Sequence, residues 1–152
     1  MATVTSKLHA LKVAIVDGLA ARAAIISAGV QVSGAFLGKD TAVESIQLTG
    51  PDHMDQDWAA LGKLSRNENI TLQGLIWIQK PGADETVIRS ARARAFELLA
   101  EVEDFLRADP GVAAVVKYSG MRATDLTEGA NPEGRVVQLD FEIGAFQRLQ
   151  ST

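Results

Sequence analysis

Four potential hard ligands crowd one short stretch of the sequence: Asp52, His53, Asp55 and Asp57. Carboxylate oxygens of this kind suit calcium or magnesium. The EF-hand spacing is absent, because no glycine and no closing glutamate fall in place, so the stretch reads as a solvated acidic connection rather than a metal site. His9 and His53 are the two imidazoles that could serve as a general base. No G-x-S-x-G elbow accompanies them, and Ser119-Gly120 reads as a turn pair. Neither phosphate-cradling pattern, G-x-x-x-x-G-K-[ST] or G-x-G-x-x-G, occurs. Lys12–Gly18 (KVAIVDG) could open a nucleotide-binding unit if it were a buried strand. Leu19-Ala20-Ala21-Arg22 then follows where a glycine-rich turn is needed for a backbone to approach a pyrophosphate. A small α/β enzyme or nucleotide-binding module is therefore the alternative, and the expectation is a protein with no catalytic residues, no cofactor and no metal.

Other residues look suited to contact. Asp84–Ala108 is the strongest helical pattern, with Val87, Ile88, Ala91, Ala95, Leu98, Leu99, Val102, Phe105 and Leu106 on one stripe. Asp84 and Glu85 favour its N-terminal dipole, Glu85/Arg89 and Glu103/Arg107 are i,i+4 pairs, and Asp109-Pro110-Gly111 stops it. Phe96 falls opposite that stripe, among Arg89, Arg92, Ala93, Ala100 and Glu103. Small alanines beside it would let another backbone come close, either of a second subunit or of the first helix. Trp58, in the polar connection, is either an interface anchor or a residue packed on its own domain.

The elements that must position these residues follow from periodicity. Val4–Ile26 is expected to be a helix, with Val4, Leu8, Leu11, Ile15, Leu19 and Ile26 on one stripe and a weaker second stripe of His9, Val13, Val16 and Ala20. Thr3, Thr5 and Ser6 are candidate N-caps, and Gly29 is a stop. Strands are expected over Val30–Phe36, Ala42–Thr49 and Glu68–Lys80, the last with Ile70, Leu72, Ile76 and Ile78 on one face. The connection Gly50–Ser65 is longer than a hairpin loop. After the long helix, Val112–Tyr118 and Arg135–Phe146 are expected strands, separated by a mobile Gly/Pro/Glu-rich loop over Thr124–Gly134. The order α-β-β-β-α-β-β indicates an α+β fold: a mainly antiparallel sheet with helices on one face.

Composition sets the frame. The chain has 152 residues, which is the length of one domain, expected to span 1–152. Hydrophobic residues make up 47% and charged residues 22%, a globular balance. Cysteine is absent, which excludes disulfides and thiolate chemistry. The net charge of −4 argues against a general grip on nucleic-acid phosphates. No apolar run is long enough for a membrane span, and Lys7, Lys12 and Asp17 break up any signal-peptide core.

In this order, the segments resemble the tail terminator (tail completion) proteins of long-tailed bacteriophages. The resemblance is carried by the N-terminal helix, Glu44–Gly50 (ESIQLTG), the polar stretch with Trp58, and Arg66-Asn67-Glu68 leading into Asn69–Leu72. It continues through Ala91–Leu106, closed by Asp109-Pro110, and the alternating last strand. It implies a structural virion protein forming a homo-hexameric ring. Such a ring would cap the tail tube at the head-proximal end, stop tube polymerisation and offer a surface to the head connector or stopper protein. Assembly would take place in the host cytoplasm, without a cofactor. DNA would pass through the ring unbound, which an acidic balance suits because like charge repels phosphate. Asp140 and Glu142, on the polar face of the last strand, would then line the pore. Subunit contacts would involve Trp58, Phe96, Arg89 and Arg92. A head–tail stopper or a tail-tube subunit is the near alternative; tube subunits usually present a long hairpin for stacking, and here the long connections are Gly50–Ser65 and Thr124–Gly134.

Overall fold

The computed structural model describes residues 5–38, 42–60 and 65–149, apart from the side chains of 59 and 60. Two helices open the chain, α1 (Leu8–Ala20) and α2 (Ala23–Ala28), followed by strands β1 (Gln31–Ser33), β2 (Glu44–Gln47), β3 (His53–Ala60) and β4 (Ser65–Lys80). Helix α3 (Glu85–Ala108) comes next, then β5 (Tyr118–Asn131) and β6 (Gly134–Leu149). The fold is α+β, as the pattern of segments indicates. One sheet runs β1-β2-β4-β6-β5, with β3 paired to β4 off that path. Among the described residues only the short β1–β2 pairing is parallel.

The long strands are amphipathic, and this decides which face is covered. Ile70, Leu72, Ile76 and Ile78 of β4 are buried together with Val137, Leu139, Phe141 and Ile143 of β6. The register sets Leu72 opposite Ile143 and Ile76 opposite Leu139. Leu11, Ile15 and Leu19 of α1, Ile25 of α2, and Ala91, Ala95, Leu98, Val102 and Leu106 of α3 join them in one core. Gly74 sits where Phe141 and the Gln47 carbonyl come closest to β4: a Cβ there would lie 2.6 Å from the ring and 2.8 Å from the oxygen. Asp84 caps α3 by accepting from the Val87 N–H at 3.1 Å.

Several expectations are corrected. The first helix breaks at Ala21–Arg22, which resets its phase, so Ile25 is buried and Ile26 is 64% exposed. Val16 packs at the margin of the core, while His9, Val13 and Ala20 face outward. Ser6 serves the helix start, its hydroxyl accepting from the Leu8 N–H at 3.1 Å, whereas Thr3 and Val4 lie outside the described residues. Gly29 ends α2 with φ 68°, as expected of a helix stop. The Gly50–Ser65 connection contains β3, and Thr124–Gly134 lies largely within β5. Both strands border the sheet with little covering on either face, so neither carries the alternation that marks a half-buried strand. Ser119-Gly120 is part of β5 rather than a turn. Val112–Tyr118 is not a strand until Tyr118. Val112, Ala113 and Ala114 form a left-handed turn with φ 47°, 53° and 62°. It buries Val112 and Val116 and is tied by the Ala113 N–H donating to Asp109 Oδ2 at 2.7 Å.

Candidate functional site

The acidic and imidazole residues of the Asp52–Asp57 stretch are spread along one strand and its approach. Asp52 leaves the acidic stretch and pairs with Lys12 of α1 at 2.7 Å. His53, Asp55 and Asp57 alternate along β3 opposite Thr71, Asn69 and Asn67, and all three are exposed. No group of three or more acidic or imidazole side chains is placed to hold a metal among the described residues. KVAIVDG lies inside α1, so it is not the first strand of a nucleotide-binding unit.

Three surfaces carry the exposed apolar and charged residues that the sequence singled out. The first lies along α3 and β5. Arg92 and Glu128 form an ion pair across the two elements, which raises the Arg92 pKa and lowers that of Glu128 through their shared hydrogen bond and attraction. Arg89 pairs with Glu85 at 2.9 Å on the same helix, and both are largely exposed. Phe96 is 46% exposed and lies one turn beyond Arg92. The close approach of α3 to α1 is made elsewhere, where the Phe105 ring occupies the space a Gly18 side chain would need. Leu126 of β5 is exposed as well.

The second surface is the arm formed by β3 and the start of β4. Met54 and Trp58 point to the helix-bearing side of the sheet, opposite Ile70 and Arg66, yet both are exposed, Trp58 at 66%. Trp58 therefore does not pack on its own core. Between them Gln56 is held on every polar atom. Its amide nitrogen donates to the Thr5 carbonyl at 2.8 Å and to Glu68 Oε2 at 2.5 Å, and its oxygen accepts from Arg66 at 3.0 Å. Glu68 is fully buried, and its other oxygen accepts from the Lys7 N–H at 2.8 Å. The Arg66-Asn67-Glu68 segment is thus the clamp between the arm and the start of α1. Nothing in the sequence marked Glu68 as buried, because its partner Gln56 lies across a strand pairing that the composition of β3 conceals.

The third surface is the open face of the sheet. Glu142 accepts from Gln73 at 3.0 Å and from Arg122 at 3.1 Å, and these donors, Gln73 first, hold its carboxyl below the usual range. Asp140 accepts from Gln138 at 2.9 Å and stands directly opposite Asp125 of β5. Gly50, Pro51, Leu75, Asp125 and Asp140 share a cleft of about 340 Å³ on this face. Further out, Tyr118 and Phe146 stack with ring centroids 5.3 Å apart. The sequence pointed to Phe96, Trp58, Arg89, Arg92, Asp140 and Glu142; the structure divides them among these three surfaces. Phe36 and Val43, in the segment between β1 and β2, are also exposed and were not singled out by their spacing.

No family model matches the sequence, and no curated protein resembles it in sequence. The fold does have a counterpart among solved structures. It is similar to a chain in the virion of a native gene transfer agent particle, at 13% identity and a TM-score of 0.50. The likeness covers 97% of this chain and all of that one.

Proposed function

We propose that the chain is a structural virion protein, a tail terminator that assembles into a homo-hexameric ring at the head-proximal end of a tail. The carrying observation is the likeness of fold, over nearly its whole length, to a chain of a gene transfer agent virion. The side-chain arrangement supports the same reading: exposed apolar anchors are plentiful, and the acidic and imidazole groups are dispersed. In the ring, Trp58, Phe96, Arg89 and Arg92 contribute to subunit contacts. The sheet face bearing Asp140 and Glu142 lines the passage for DNA. Arg122 offsets Glu142, so the repulsion of phosphate rests chiefly on Asp125 and Asp140. The two rims of the ring meet the tail-tube protein and the head connector or stopper, and the protein works without catalysis or cofactor.

Light scattering and negative-stain imaging test this. Hexameric rings that stop the elongation of tail-tube protein are the expected result, and a strict monomer that binds a nucleotide refutes it. A tail-tube role is the second reading, favoured by the two hairpins, β3–β4 and β5–β6, that replace the expected loops. Self-polymerisation into open-ended tubes would select it.

A further inference from the structure

We infer that the outer edge of β3 receives an extended segment of a different protein, one with lysine or arginine at every other position and apolar or small residues between. This does not depend on how copies of the chain assemble. β2 and β3 follow one another along the same edge of β4, β2 opposite residues 75–78 and β3 opposite residues 65–71. β1 covers the outer edge of β2, and the cover reaches Leu48, whose N–H donates to the Ser33 carbonyl at 2.8 Å. From His53 to Asp57 no strand lies outside β3 among the described residues. A row of backbone donors and acceptors about 17 Å long is therefore left open in line with β1.

The two faces of β3 set the pattern of the incoming strand. His53, Asp55 and Asp57 stand exposed on the open face of the sheet. Neither Asp55 nor Asp57 forms an ion pair among the described residues. On the helix-bearing side Met54 is exposed, and beside it Gln56 has every polar atom committed. A strand laid along this edge meets carboxylates on one face and, on the other, an apolar side chain with no free polar group next to it. Opposite charges across a strand pair stabilise and like charges destabilise, so the residues on the open face are basic. The contact makes no use of Trp58, which is left to the subunit contacts proposed above.

The same charges decide between occupants. Antiparallel pairing of β3 with a second copy about Gln56 sets Asp55 against Asp57 twice. Pairing centred on either aspartate sets that carboxylate against its own copy. DNA phosphate is repelled as well. A basic segment of a different protein turns the repulsion into attraction and gains the backbone bonds of an added strand.

The probe is a labelled nine-residue peptide with lysine at every second position and valine or threonine between, tested on the full chain by fluorescence anisotropy. It is expected to bind, and its counterpart with glutamate in place of lysine is not. Asp55→Asn with Asp57→Asn should weaken binding about threefold to tenfold. Asp55→Lys with Asp57→Lys should reverse the preference between the two peptides. Two further lysine peptides carry N-methyl groups, one on the odd and one on the even amides. Only one set of amides faces β3 in an added strand, so one of these peptides should bind and the other should not. On the unaltered chain, the lysine peptide should slow hydrogen exchange at alternate amides between His53 and Asp57, a readout that survives if a variant fails to fold. The inference is overturned if the lysine and glutamate peptides bind alike, if neither binds up to about 1 mM, or if the two methylated peptides behave the same. It also falls if His53→Cys copies, treated with a short bis-maleimide without peptide, cross-link to one another through β3, which would make a second copy the occupant.

Discussion

Replacing Glu68 tests whether a buried carboxylate holds the first helix to the arm. Its oxygens accept from the Lys7 N–H at 2.8 Å and from Gln56 at 2.5 Å, with no exposed surface. A hydrogen bond to a charged group contributes about 1.5–3 kcal/mol net, and a buried donor left without its partner costs about 1–3 kcal/mol. Glu68→Ala removes both bonds and strands the Gln56 amide, whose other hydrogen is committed to Thr5. Cavity relaxation and water entry offset part of this, so the expected loss is about 2–4 kcal/mol. Glu68→Gln keeps the volume and one acceptor but turns an NH₂ toward a donor, for an expected loss of about 1–2 kcal/mol. In a chain of this length each kcal/mol lowers the melting temperature by about 2–4 °C. Urea unfolding followed by Trp58 and Trp77 fluorescence gives the ranking, and hydrogen exchange at the Lys7 amide gives the local effect. If both variants stay within about 0.5 kcal/mol of wild type, or Gln costs more than Ala, the clamp is not what ties α1 to the sheet.

Four further outcomes are expected. Leu98→Ala truncates a fully packed residue of α3 and should cost about 2–5 kcal/mol in denaturant unfolding, a value near zero meaning that the helix stripe is misplaced. Gly74→Ala forces a methyl against the Phe141 ring and the Gln47 carbonyl, and calorimetry should find a loss of about 1–3 kcal/mol; an unchanged melting temperature would mean that β2 yields freely. Ala114→Gly should stabilise by about 1 kcal/mol, because the residue is held at φ 62°, and destabilisation would show that the left-handed turn is not formed in solution. Arg122→Ala should raise the Glu142 pKa toward the usual carboxylate value, as read by NMR titration, with the Gln73 bond keeping part of the depression. Because the folded-state pKa is lowered, the stabilisation linked to Glu142 is present above the unfolded carboxylate pKa and is lost as pH falls through the folded value, a loss that should be smaller in the variant and complete at a higher pH.

How much of this was legible in the sequence depended on where each strand lies in the sheet. β4 and β6 are central and covered on one face, so Ile70, Leu72, Val137 and Leu139 wrote a period-two signal that needed no structure to interpret. The α3 stripe was equally plain, with its Glu85–Arg89 and Glu103–Arg107 pairs, whereas Asp84, read as a favourable charge at the helix dipole, proves to be the N-cap. β3 and β5 left no such mark, because Asp55, Asp57, Thr127 and Glu128 meet water whichever way they point. The valines after Pro110 misled in the opposite sense: β-branched residues suggested a strand, but burial of Val112 and Val116 from a tight turn satisfies them equally well. The candidate contact residues Phe96 and Trp58 stood out as large apolar side chains in polar surroundings. The Glu68 clamp did not, since it depends on a pairing between segments that pattern alone leaves apart.

The position of β6 has a consequence for synthesis. It is made after both β4 and β5, yet it is inserted between them, bringing Arg148 against Asn67 across 81 positions of chain. Such distant pairing is slow to close, because loop entropy must be overcome before any contact rewards it. Until β6 arrives, β4 and β5 have no shared partner, and the two outer flanks are not at a fixed separation. A polypeptide cut short before β6 consequently leaves the two edges of the sheet unlinked, whatever local structure its earlier segments form.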